Sequence, residues 1–141
     1  MQRGRRIAFD YGDVRIGLAL SDSDGILASP LATLRSTDKR LRTKVQEIFQ
    51  EFEPIKIYVG KPSNMDGSSG PAVDKALEFY DFLATLTDCP IELIDERLST
   101  VSGARSLRDS GVSTKESKSR IDEAAAVAIL EFALSIEKNR Q

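Results

Sequence analysis

Three acidic residues in this chain of 141 residues stand where an α/β protein would carry catalytic groups. Asp10 interrupts an apolar run in "IAFDYGDVRIGLALSD" (7–22), at a place where a strand pattern asks for an apolar residue. Glu96 follows the apolar run 91–94, and Asp122 lies at the head of an alanine-rich segment. Ligand sites of open α/β sheets form beyond the carboxyl ends of the parallel strands. Asp10 and Glu96 should share that edge, and a helix packed across the sheet could bring Asp122 to them. Clustered carboxylates repel one another and need a compensating cation. Mg²⁺ or Mn²⁺, hard and oxygen-liganded, suits such a group. Two such ions ~4 Å apart can activate a water and steady the leaving oxygen of a phosphodiester. The composition leaves room for little else. There is no histidine and one cysteine, Cys89, so Ser-His-Asp and Cys-His nucleophiles, imidazole zinc sites and intramolecular disulfides are excluded.

Each acid also has an ordinary structural explanation. Asp10 could cap the turn at Gly12, and Glu96 could pair with Arg97. "SRID" (119–122) fits a capping box that would place Asp122 in the first turn of a helix opened by Ser119. Asp95 adjoins Glu96, and neighbouring strand residues face opposite ways, so one of the two is the primary candidate; Glu96 is chosen.

Cations accompany the acids. Arg15 and Arg97 could hold substrate phosphate or fix the carboxylates. "GKPSNMDGSSG" (60–70) joins a strand to a helix, and its Lys61 and Asn64 can meet phosphate oxygens. It lacks the order of a Walker A loop. Arg3, Arg5 and Arg6, and later Lys115, Lys118 and Arg120, are candidate basic patches, with Lys115 and Lys118 read as a polar clamp. Net charge is −2, so no whole-molecule pull on nucleic acid is expected.

The elements that would position these groups read as follows. Strands are expected over 7–9, 15–21, 26–34, 55–59 and 91–94, with Pro30 making the third an edge strand. Helical spacing of Leu41, Val45, Ile48, Phe49 and Phe52, capped by Thr37 or Asp38 and stopped by Pro54, predicts the first helix. Val73, Ala76, Leu77, Tyr80 and Leu83 mark the second, Thr100 to Arg108 a short third, and a last helix runs from Ser119. The expected fold is one α/β domain over 1–141, a mixed five-stranded sheet with its first three strands antiparallel and helices on both faces. No apolar run suits a membrane span or a signal peptide, so a cytoplasmic protein is expected.

Four blocks, "FDYGDVRIGLALSD", "VGKPSNMDGSSGPAV", "IDERLST" and "IDEAAAVAIL", resemble in order and spacing the signatures of the YqgF family, RuvX-like nucleases of ribonuclease-H-like fold. The resemblance covers about residues 6 to 134. It implies strand order 3-2-1-4-5 and a two-metal site whose acids match Asp10, Glu96 and Asp122. It also implies maturation of the 5′ end of 16S ribosomal RNA, with precursor rRNA, and a ribosomal subunit precursor, as partners. Resolution of four-way Holliday junctions in DNA, which would need a dimer, is the alternative, and a monomer or weak homodimer is expected. Lys61 stands where the family usually has Leu, and Ser99 where it usually has Thr. Two further readings stay open: an actin-like phosphate-binding hairpin, for which one lobe is too few, and a non-catalytic RNA-binding assembly module.

Overall fold

Alternation along the strands divides this chain into two cores. The computed structural model describes residues 1–61, 70–96 and 115–140. Their elements are β1 (Arg6–Tyr11), β2 (Arg15–Ser21), β3 (Ala28–Arg35), α1 (Leu41–Phe52), β4 (Lys56–Lys61), α2 (Pro71–Ala84), β5 (Ile91–Asp95) and α3 (Lys115–Asn139). The sheet order is β3-β2-β1-β4-β5. β1–β2 and β2–β3 pair antiparallel, β1–β4 and β4–β5 parallel, as expected. Successive strand side chains point to opposite faces. Ile7, Phe9, Ile16, Leu18, Ile57 and Val59 therefore meet Val45 and Phe49 of α1 and Phe79 and Leu83 of α2. Ala8, Ala19, Tyr58 and Ile94 meet Ala125, Ala126, Ile129, Leu130, Ala133 and Leu134 of α3.

The face under α3 is built of small residues, and this sets how close the helix comes. A Cβ on Gly17 would run into the Asp122 carbonyl, so helix backbone lies directly on strand backbone there. A Cβ on Gly60 would lie 2.5 Å from the Ile129 Cδ1 methyl. Glycine inside a strand commonly marks such an approach.

Ionic contacts hold α3 at both ends. Near its start, Asp122 Oδ2 accepts from Arg15 Nε at 2.8 Å. Near its end, Glu137 takes Arg6 Nη2 at 3.0 Å, Arg6 Nε at 3.2 Å and the Tyr58 hydroxyl at 2.7 Å. Arg6 is fully buried, and its remaining donors reach the Gly4 and Gln2 carbonyls. Burial and the Glu137 carboxylate push the Tyr58 phenol well above its usual range.

Several boundaries differ from expectation. β3 begins at Ala28, because the Ile26 and Leu27 amides bond Asp22 Oδ1 instead of a neighbouring strand. Pro30 sits on the edge strand beside a register shift, as its missing donor requires. α1 starts at Leu41, and Asp38 shapes the preceding turn by accepting the Arg40 amide at 2.8 Å instead of capping the helix. It ends on Glu53 at φ 45°, just before Pro54. Leu77 on α2 is exposed, and Phe79 takes its place in the core. α3 starts at Lys115, so Ser119 opens no helix and Asp122 sits roughly two turns inside it. Lys115 and Lys118 thus belong to a helix and not to a polar loop. Arg3, Arg5 and Arg6 form no common patch: they engage Asp24, the Phe52 ring and Glu137 respectively. Asn64, Arg97 and the short helix expected over Thr100 to Arg108 lie outside the described residues.

Removing one member of a buried ion pair leaves the other uncompensated. Glu137→Ala is expected to lower unfolding free energy by about 3 kcal/mol in urea titration. A loss under about 1 kcal/mol would show that Arg6 finds another partner.

Candidate active site

The carboxyl ends of β1 and β4 and the start of β2 share one edge of the sheet. Asp10 is opposite Gly17 in the β1–β2 ladder, and Phe9 is beside Val59 in the β1–β4 ladder, so Asp10 and Gly60 follow in register. Asp10 shares its face with Ala8, hence with α3. Glu96 follows β5 on the side of Ile94, and its Oε1 lies 2.8 Å from where a Gly60 Cβ would be. Asp122 lies over Gly17. The order across the sheet is therefore Glu96 over β4, Asp10 on β1 and Asp122 over β2, a row spanning about 10 Å at ordinary strand spacing. All three are buried, with exposures of 1% for Asp10, 5% for Glu96 and 1% for Asp122.

No three acidic or cysteine side chains among the described residues gather closely enough to hold one ion at one point. The three acids lie along one edge of the sheet. Asp10 interacts with its surroundings, but its buried Oδ2 oxygen accepts no hydrogen bond. Burying carboxylates costs several kcal/mol each unless charge and hydrogen bonds compensate. Arg15 supplies one such compensation to Asp122 and is itself only 17% exposed. Arg15 is thus ion-paired with one of the acids.

A cavity of about 140 Å³ opens beside this pair, lined by Gly12, Asp13, Val14, Arg15 and Asp122. The β1–β2 turn forms its rim. Lys75, on the first turns of α2, bonds Asp13 at 2.7 Å, and this contact holds the Lys75 ammonium above its ordinary pKa. Lys61 ends β4, paired in register with Asp95, one position past the Gly60–Ile94 level. Lys115 and Lys118 lie in the opening turns of α3. Cys89 is partly buried and bonds the Pro54 carbonyl at 3.3 Å, and burial pushes its thiol pKa up, as befits an unreactive residue. Sequence reasoning missed Lys75, Glu123 and Glu137. Lys75 and Glu137 find partners far along the chain, as does Glu123, which takes the Thr33 hydroxyl at 3.2 Å.

The family described as "RuvX: Holliday junction resolvase" matches residues 4–136. The chain belongs to the RuvX family. A relative from Streptomyces coelicolor, named as a pre-16S rRNA nuclease, is 44% identical over 140 residues, covering 98% of this chain and 84% of that protein. One from Mycobacterium sp. strain KMS, of the same name, is 42% identical over 133 residues, covering 92% and 78%. Among solved structures, Thermus thermophilus RuvC in complex with a Holliday junction substrate has a TM-score of 0.55 at 16% identity, covering 95% of this chain and 96% of that one. That likeness shows that the RuvX chain and RuvC share the ribonuclease-H-like fold. No helix among the described residues of this RuvX chain is long and apolar enough to cross a membrane.

Arg15→Gln would leave the buried Asp122 carboxylate without its guanidinium. A loss of about 2 kcal/mol is expected, read as a lowered thermal midpoint. An unchanged midpoint would refute the compensating role of Arg15.

Proposed function

We propose that this RuvX protein is a cytoplasmic, metal-dependent nuclease that hydrolyses phosphodiester bonds at the 5′ end of pre-16S ribosomal RNA. The observation that carries the reading is the row of three buried carboxylates, Glu96, Asp10 and Asp122, at one edge of the sheet. The naming of relatives at 42–44% identity as pre-16S rRNA nucleases supports the substrate.

The donor set fits hard divalent ions. It offers carboxylate oxygens, among them a buried Asp10 oxygen that accepts no hydrogen bond. Asp10, Glu96 and Asp122 are the carboxylates that would hold such ions. Mg²⁺ or Mn²⁺ held there would supply activation of the attacking water and neutralisation of charge at the leaving oxygen. The protein's own residues do the rest. Arg15 keeps Asp122 Oδ2 in place. Gly17 and Gly60 let helix and carboxylate approach the strands closely. Lys61, Asn64, Arg97, Lys115 and Lys118 are proposed phosphate contacts.

A second reading, resolution of four-way DNA junctions, draws on the family description and the fold shared with RuvC. It requires two copies presenting paired sites, so a strictly monomeric protein weighs against it.

Asp10→Asn is expected to reduce cleavage of a pre-16S 5′ fragment about 100-fold or more in Mg²⁺ or Mn²⁺, with the fold intact. It should also abolish the rise in thermal midpoint that Mg²⁺ gives the unaltered protein. Near-full cleavage by Asp10→Asn in Mn²⁺ would refute the assignment. A four-way junction assayed beside the RNA decides between the two substrates.

A further inference from the structure

Beside the row of acids, the edge of the sheet carries an unusual pair. Arg15 on β2 and Arg35 on β3 are direct partners in an antiparallel ladder. Like charges in that position repel. Arg15 is neutralised by Asp122. Arg35 is exposed and makes no ion pair among the described residues. Arg35 therefore stands at this edge as a solvent-facing cation.

The chain beyond Arg35 is held in place. The Ser36 amide donates to the Val14 carbonyl at 2.9 Å, and its hydroxyl to the Gly12 carbonyl, so this turn is fastened to the turn that rims the cavity. Lys39 and Arg40 are exposed on it. The nearby carboxylates are engaged: Asp38 with Lys44, the Arg40 amide and the Arg40 charge, Asp13 with Lys75, Glu123 with Thr33. At ordinary strand spacing and rise, Arg35 lies about 12 Å from Asp10, a few nucleotides along a backbone. β3 is an edge strand, so nothing in the sheet continues past it.

We propose that Arg35, with Lys39 and Arg40, forms a shelf that binds the phosphate backbone of the substrate next to the bond being cut. This rests on the nuclease reading and extends it to the path of the strand. The shelf reads charge and not base sequence, so its contribution is dependent on salt.

The test is fluorescence anisotropy of a labelled single-stranded RNA of about 16 nucleotides, titrated at several salt concentrations. Arg35→Gln is expected to weaken binding about three- to tenfold at low salt and to flatten the slope of log K against log salt by about 0.7. Its thermal midpoint should match that of the unaltered protein, since Arg35 is exposed and makes no ion pair among the described residues. Arg35→Lys should keep the slope. Arg42→Gln removes the same charge from α1, where the guanidinium lies over the Phe82 ring, and should bind normally. Unchanged binding and slope in Arg35→Gln, an equal loss in Arg42→Gln, or a marked fall in the midpoint of Arg35→Gln would each overturn the shelf. If the unaltered protein neither binds nor cleaves RNA or junction DNA, the nuclease reading falls as well. If it cleaves and Arg35→Gln matches it, the shelf alone falls.

Discussion

The contact between α3 and the sheet governs the rest of this molecule. A helix usually stands off a sheet by the length of two side chains. Here Gly17 removes one of them altogether, and the helix backbone at Asp122 rests on the strand. Ala8 and Ala19 on the strands, and Ala125, Ala126 and Ala133 on the helix, extend the close seam. That nearness brings a carboxylate from the last helix level with one from the first strand. A larger residue at Gly17 would lift the helix and separate the acids, without altering any of the acids themselves.

Electrostatics imposes the second constraint. Asp10, Glu96 and Asp122 are all removed from water, along with Arg6. At the far end of α3 the fold resolves this internally, with Arg6, Glu137 and Tyr58 bonded to one another. At the near end Arg15 pairs with Asp122. The same helix therefore has an ionic anchor near each end, Glu137 with Arg6 and Asp122 with Arg15. The proposed ions would join the second end, and the exposed cations of the β3 edge lie beyond it.

The two faces of the sheet have different tasks. The face under α1 and α2 is filled by large side chains, with Phe9 meeting Phe49 and Phe79 edge-on at 6.1 and 5.4 Å. It supplies bulk burial. The α3 face is thin and polar at both ends. Alternation along β1 puts Ile7 and Phe9 on the first and Arg6, Ala8 and Asp10 on the second, so one six-residue strand carries both stability and the candidate chemistry.

Local pattern carried a great deal of this. The period of two along β1 and β2, the helical spacing before Pro54 and the edge position of Pro30 are short-range features, and they were legible in the sequence. So was the oddity of Asp10, since an acid inside an apolar run stands out without any partner. Pairings at long range were not legible. Arg6 read as part of a basic terminus because Glu137 lies 131 positions away. "SRID" read as a helix start because its residue types satisfy the local capping pattern, while the helix in fact begins at Lys115. Arg35 carried no signal until strand register set it against Arg15. The sequence by itself determined which residues alternate, which segments turn, and which side chains could do chemistry, because these depend on neighbours in the chain. Only the tertiary structure decided which charges are neutralised and which are left facing outward, because that depends on distances between segments that share no local pattern.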